Sequence, residues 1–317
     1  MNIDVFNGDA DGICSLIQLR LTYPRESLLV TGVKRDIGLL SRVEATPGDE
    51  VVVLDVSLDR NRDALMRLLD KGVGIFYMDH HFPGEIPCHS GLTAAIDTDA
   101  NVCTSLLMDR FVGARYTAWA VTGTFGDNLD AAAYRAAGAL NMSAQELHDL
   151  KQLGICINYN AYGDDICDLH MPPDLLYKEL VRYRSPLEFI GDKPHLYRQL
   201  LEGYAQDMDS VAQVQAYFAT DSVAVFVLPD QKWARRVSGV WGNELANRYP
   251  DRAHAVLNRN RNGGFQVSVR APLNNKAGAD ELCRQFSGGG RKAAAGIDNL
   301  RAEYIDNFIS AFQATYS

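Results

Sequence analysis

Short apolar runs alternate with helical patterns over roughly the first 130 residues of the chain. Residues 3–6, 27–31, 51–56 and 73–78 are brief, rich in β-branched side chains and bounded by turn residues, which predicts buried strands. Residues 10–23, 60–71 and 101–111 predict the intervening helices. Strands alternating with helices in this way predict a mainly parallel sheet covered on both faces. Ligands of such sheets bind beyond the carboxyl ends of the strands. Polar residues at those ends are therefore the first candidates for chemistry.

From about residue 115 to 184 the pattern turns helical, with stretches at 116–124, 131–139, 143–153 and 173–182. Ser143 stands three residues before Glu146, the spacing of a capping box. Residues 194–218 run on with little punctuation and predict a connecting helix. Strand-like runs resume at 222–228, 253–257 and 265–270, followed by helical stretches at 277–286 and 301–316. This organisation predicts an α/β protein in two domains. Residues 1–190 form a mainly parallel sheet with helices on both faces and a helical extension. Residues 191–220 form the connecting helix, and residues 221–317 a smaller α/β domain.

Composition narrows the class. With 47% hydrophobic and 22% charged residues the chain suits ordinary globular domains. No uninterrupted apolar stretch of about 20 residues is present, so no membrane-spanning helix is expected. The first residues, Met1 to Phe6, lack the basic and apolar regions of a secretory signal. The six cysteines are scattered without a CxxC pair, which predicts free thiols and a cytoplasmic location. Cys156, Cys167 and His170 fit no common zinc spacing. Residues 1–220 hold 18 Lys/Arg against 31 Asp/Glu, and residues 221–317 hold 13 against 9, within a net charge of −9. An acidic front half suits a carboxylate-rich cation site and a mildly basic rear half a phosphate-bearing ligand, although chance differences in surface charge give the same pattern. The total charge disfavours a long nucleic-acid track.

Four acidic signals fall at the predicted strand ends or the loops beside them. Asn7-Gly8-Asp9-Ala10-Asp11-Gly12 joins the first strand to the first helix, and its two Asp can point oxygens at one or two cations. Asp55 ends the apolar run Val51–Leu54, Asp79-His80-His81 ends the run from Gly74, and Asp127 follows a mostly apolar helical stretch. Taken singly, each has an ordinary use: an N-cap for Asp9 or Asp55, a loop Asp at 127, hydrogen-bonded histidines at 80 and 81. Taken together, Asp9, Asp11, Asp55 and Asp127 at one sheet edge would repel each other and raise each other's pKa. Divalent cations remove that conflict, and carboxylates with imidazole suit hard-to-borderline ions such as Mn²⁺ or Mg²⁺.

In order and spacing, Asn7–Gly12, Asp55, Asp79-His80-His81 and Asp127 resemble the four motifs of the DHH phosphoesterase superfamily. The second half resembles the DHH-associated domain, through Gly288-Gly289-Gly290-Arg291 with the small residues after it, and through Arg270 at the place of a substrate-binding Arg. The resemblance spans essentially the whole chain. It implies a metal-dependent hydrolase with two ions, Mn²⁺ foremost and Mg²⁺ or Co²⁺ as alternatives. Asp55 would bridge them, with Asp9, Asp11, His80 and Asp127 as further ligands and Asn7 as a candidate amide ligand. His81 would contact the phosphate or protonate the leaving oxygen. Arg270, the Gly288–Gly290 amides and Arg291 would hold the terminal nucleotide. Val5 stands where many members have His, Asn7 where RecJ-type members have Asp, and Arg291 where His usually follows the Gly run.

Without an additional nucleic-acid-binding domain, the expected substrates are short oligonucleotides or linear dinucleotides, cleaved to nucleoside monophosphates. A RecJ-like single-strand exonuclease on longer substrates and a cyclic-dinucleotide phosphodiesterase are the neighbouring alternatives. Pyrophosphate hydrolysis is a more distant one, and a nucleotide-binding sensor with a degraded metal site is the non-catalytic reading. No membrane partner is expected, and a homodimer is compatible with the family.

Overall fold

The computed structural model describes residues 1–260 and 263–317, and these divide into two compact units, Met1–Tyr204 and Ala205–Ser317. The first unit begins with β1 (Asn2–Phe6), α1 (Ala10–Thr22), β2 (Leu28–Val30), β3 (Glu50–Leu54), α2 (Leu58–Asp70), β4 (Gly74–Asp79) and β5 (Leu92–Ile96). All five strands pair in parallel, in the order β2-β1-β3-β4-β5. Both faces are covered, as the alternation of patterns predicts. Phe6, Leu54 and Met78 face the core that α1 shares with the helices described next, while Val5, Val53 and Tyr77 face the core that α2 closes with Leu65, Leu68 and Leu69.

The helical extension is α3 (Thr104–Phe111), α4 (Thr117–Gly126), α5 (Asp130–Ala137), α6 (Ala144–Asn160), α7 (Pro173–Leu180), α8 (Pro186–Asp192) and α9 (Pro194–Ala212). Ser143 caps α6 through the capping box the sequence predicts, and Ser185 and Glu188 form a second one at α8. The division between units falls inside α9. That helix stops at Ala212 rather than 218, because Phe218 and Ala219 pair with the next strand.

The second unit contains β6 (Phe218–Ala219), β7 (Val223–Leu228), α10 (Lys232–Arg248), β8 (Ala253–Arg259), β9 (Phe265–Arg270), α11 (Ala279–Arg284), β10 (Gly289–Arg291), β11 (Ala294–Leu300) and α12 (Ile305–Tyr316). Its sheet is mixed, in the order β10-β11-β9-β8-β7-β6. Val225, Ala255, Val269, Ala295 and Ile297 meet Leu282, Phe308 and Phe312 in a core on the face of α11 and α12. Three elements carry weak sequence signals. Residues 92–96 and 294–300 form strands despite several Ala and Gly, which have little intrinsic strand preference and owe their state to pairing at the sheet. Helix α10 contains Gly239 and Gly242, which depress helix propensity.

Candidate metal centre

The turn after β1 is shaped by a close approach. A Cβ on Gly8 would lie 2.1 Å from the Gly32 carbonyl oxygen, so only glycine lets the loop after β2 come this near. Asp9 then caps α1, accepting a hydrogen bond from the Gly12 amide (3.1 Å). Its other oxygen accepts from Lys34 Nζ at 2.5 Å. Asp11 is turned the other way, into the start of α3. Its two oxygens accept the amides of Thr104 (2.8 Å) and Ser105 (2.7 Å), which leaves the carboxylate buried and rigidly oriented.

Asp55 follows β3 in the left-handed backbone region, with φ +57°. An Asp tolerates that region better than most residues, and the conformation turns the buried carboxylate toward Thr104 Oγ1 (3.3 Å) and His80 Nε2 (3.5 Å). Asp79 ends β4 and His80 follows it. His80 Nδ1 donates to the Val102 carbonyl (3.1 Å), which fixes the tautomer and leaves Nε2 as a lone-pair donor. Around that nitrogen stand Asp55 Oδ1 at 3.5 Å, Asp127 Oδ2 at 3.8 Å and Asp11 Oδ2 at 3.9 Å. Asp127 comes from the C-terminal end of α4, where the helix dipole favours a cation. It reaches this position because α4 packs tightly on its neighbours: a Cβ on Gly126 would lie 2.3 Å from the Ala10 Cβ and 2.8 Å from the Gly154 oxygen. His81 Nδ1 donates to Asp79 Oδ1 at 2.7 Å, and its ring is half exposed.

The electrostatics follow from this crowding. Burial, then the charges of Asp9, Asp11, Asp79 and Asp127, push the Asp55 carboxyl well above the usual range. Burial and the charge of Asp11 raise Asp127 to about 7, despite Lys34 and His80. Burial also opposes ionisation of Asp9, yet Lys34 and the Gly12 amide hold its pKa below the ordinary value. The hydrogen bond to Asp79 raises the His81 pKa against the cost of burial. Carboxylates that resist ionisation beside one another form a poor apo site and a good cation site. Two sets of donors lie close enough to share an ion, Asp55 with His80 and His81, and Asp11 with His80 and Asp127. Carboxylate oxygens with one or two imidazoles fit a divalent ion such as Mn²⁺ or Mg²⁺.

The structure thus brings Asp11, Asp55, His80, His81 and Asp127 together, and Asp9 adjoins them beside Asp55 and through Lys34, which lies 3.9 Å from Asp127. Asn7 is anchored by its backbone amide on Leu54, and its side-chain oxygen is buried without a hydrogen-bond partner. Sequence reasoning misses Lys34, Asn158, Val102 and Thr104. The same strand-end rule that selects Asp55 would have selected Lys34, which follows the strand at 28–30.

The remaining predicted residues belong to the second unit. The Gly run is a short edge strand, β10, with Gly288 tight against the Gly296 carbonyl, where a Cβ would lie 2.2 Å away. Strand register pairs Arg291 with Ala294 and Ala294 with Arg270, so the two arginines share one sheet face, two strand spacings or about 10 Å apart. Arg270 donates to Asn243 Oδ1 (2.7 Å), Ser268 Oγ (3.0 Å) and the Val269 (3.1 Å) and Gly239 (3.4 Å) carbonyls, while Arg291 is exposed.

No protein-family model and no curated protein sequence matches the chain. Solved structures do. An exonuclease RecJ bound to manganese superposes with a TM-score of 0.65 at 17% identity, over 99% of this chain and 89% of that one. RecJ from Thermus thermophilus, in complex with Mn²⁺, gives 0.64 at 17% identity, and this chain spans only 51% of it. A pGpG-specific phosphodiesterase, PggH from Vibrio cholerae, gives 0.54 at 13% identity over 99% of both chains. The chain shares the fold of these RecJ and PggH structures.

Proposed function

We propose that the chain is a divalent-metal-dependent phosphodiesterase that hydrolyses short oligonucleotides or linear dinucleotides to nucleoside monophosphates. The observation that carries this reading is the convergence of Asp11, Asp55 and Asp127 on His80 Nε2, within 3.5–3.9 Å, while Nδ1 is committed to Val102. These four side chains would hold the ion, Mn²⁺ foremost, with Mg²⁺ or Co²⁺ able to replace it. When bound, a divalent ion lowers the pKa of water enough for attack on phosphorus near neutral pH. Asp9, which lies beside Asp55, and Asn7, whose side-chain oxygen is buried without a hydrogen-bond partner, are the remaining candidate ligands.

His81 serves a different role. With Nδ1–H given to Asp79 and a raised pKa, the half-exposed ring carries a proton that Nε2 can pass to the departing ribose oxygen. In the second unit, Arg291 would hold a non-reacting phosphate, and Arg270 with the Gly288–Gly290 backbone would shape that clamp. The named activities of RecJ and PggH, an exonuclease and a phosphodiesterase, support a nucleotide phosphodiester as substrate. The higher TM-scores to RecJ favour a second reading, a single-strand exonuclease on longer substrates.

Incubation with Mn²⁺ and a panel of linear dinucleotides, longer single strands, cyclic dinucleotides and pyrophosphate, followed by mass analysis, tests both. The first reading expects mononucleotides fastest from the shortest linear substrates. Rates that rise with length over many nucleotides would replace it by the second, and binding without turnover would remove both.

A further inference from the structure

The candidate ion clusters both use His80, and neither contains Asp9. Asp9 is instead held by a lysine. Lys34 Nζ donates to Asp9 Oδ2 at 2.5 Å and to Asn158 Oδ1 at 2.8 Å, and it lies 3.9 Å from Asp127 Oδ1. This is a built position. The Lys34 amide donates to the Ala161 carbonyl at 2.8 Å, and the ammonium sits 6.0 Å from the Tyr162 ring centre. Asn158, Ala161 and Tyr162 all come from the C-terminal end of α6, whose dipole favours a cation there. Gly8 makes the arrangement reachable, since any Cβ at that position would expel the loop that carries Lys34.

We propose that Lys34 is a resident cation that fills the Asp9 side of the centre, so that the chain takes one divalent ion rather than two. An ion on Asp9 must sit roughly 2.1 Å from a carboxylate oxygen. With Nζ 2.5 Å from Oδ2 and the Gly12 amide on Oδ1, such an ion would share one carboxylate, and the same few ångströms, with a fixed positive charge. Coulomb repulsion between them is strong in a buried pocket. On the His80 side Lys34 comes no nearer than 3.9 Å, at Asp127 Oδ1, so Asp11, Asp55 and the other Asp127 oxygen remain to hold an ion. Lys34 therefore sets how many ions enter and, by keeping Asp9 ionised and fixed, where the single one sits. This inference rests on the proposed metal-dependent hydrolysis for the identity of the ion, but its test does not depend on turnover.

The probe is Mn²⁺ alone, titrated calorimetrically into the full chain and followed by low-temperature electron paramagnetic resonance. The wild-type protein should bind one Mn²⁺ per chain and give the six-line spectrum of an isolated ion. Lys34→Met should bind two and show the multiline spectrum of an exchange-coupled pair. Lys34→Arg, which keeps the charge, should remain with one. Two tightly bound, coupled ions in the wild type would overturn the proposal whether or not the Met variant folds. A folded Lys34→Met protein that still takes a single ion would overturn it as well. Turnover reports separately: one-ion binding without hydrolysis of any phosphodiester removes the functional reading alone, and hydrolysis with two ions in the wild type removes this one alone.

Discussion

The two sheets handle buried charge in opposite ways. At the strand ends of the first, Asp11, Asp55 and Asp127 crowd around a single imidazole nitrogen, and burial with mutual repulsion raises the pKa of Asp55 and Asp127. In the second unit charge is matched by the protein itself. Buried Arg236 donates to both oxygens of Asp207 at 2.6 and 2.8 Å, and Arg270 engages Asn243, Ser268 and two carbonyls. Matched charge stabilises a fold. Unmatched charge of one sign, held in place by rigid helix ends, costs stability and is explained by a ligand of the opposite sign.

Breaking the unmatched site should give the largest effect on activity. His80→Ala or Asp55→Ala should lower Mn²⁺-dependent hydrolysis by roughly a thousandfold or more, because each removes a donor for the ion that activates water. The apo protein should respond in the opposite sense. Asp55→Asn relieves repulsion among buried carboxylates, so its metal-free melting temperature should rise, while added Mn²⁺ should stabilise the wild type more than the variant. Calorimetric scans with and without Mn²⁺ check both signs, and a metal-free Asp55→Asn less stable than the wild type would contradict the comparison.

Breaking the matched pair should cost stability instead. Arg236→Met leaves Asp207 buried without its partner, a loss of about 3–5 kcal/mol for a buried ion pair. Trp233 and Trp241 lie on α10 of the second unit, so tryptophan fluorescence during denaturant unfolding reads the change there.

Much of the first site was legible because its donors obey a local rule. Asp9, Asp55 and His80 each follow an apolar strand-like run, and in a parallel sheet those ends share one edge. The unread residues answer to tertiary contacts. Val102 matters only because the end of β4 meets the segment before α3, Thr104 only because the start of α3 meets α1, and Asn158 only because α6 ends beside Lys34. Lys34 obeyed the local rule but not the expected charge. In the second unit the strand carrying Arg270 was legible from its alternation. Helix α10, which gives Arg270 two of its partners, was hidden by Gly239 and Gly242, which depress helix propensity.

Two smaller effects sharpen the contrast. Arg291→Ala should raise KM about tenfold with little change in kcat, as expected for a charge-assisted contact to a non-reacting group. A loss confined to kcat would place the guanidinium at the reacting phosphate. The second concerns His254, which is buried on β8 with neither ring nitrogen hydrogen-bonded. Burial, aided by Arg252, lowers its pKa to about 4 from an ordinary 6.5. Between those values the unfolded chain binds the extra proton, so the stability of the second unit should rise from pH 4 to pH 6.5 and level off above. His254→Leu should flatten that slope in denaturation curves taken across the range.

The central claim is that the clustered carboxylates and His80 direct water onto the phosphorus of a nucleotide phosphodiester. The most direct measurement is turnover of a linear dinucleotide in ¹⁸O-labelled water with Mn²⁺, analysed by mass. The account predicts that each 5′-phosphorylated dinucleotide gives two nucleoside monophosphates, one of them bearing a single ¹⁸O on phosphorus, formed by the wild type and not by His80→Ala. Label on neither monophosphate, equal turnover by the variant, or no turnover would contradict it.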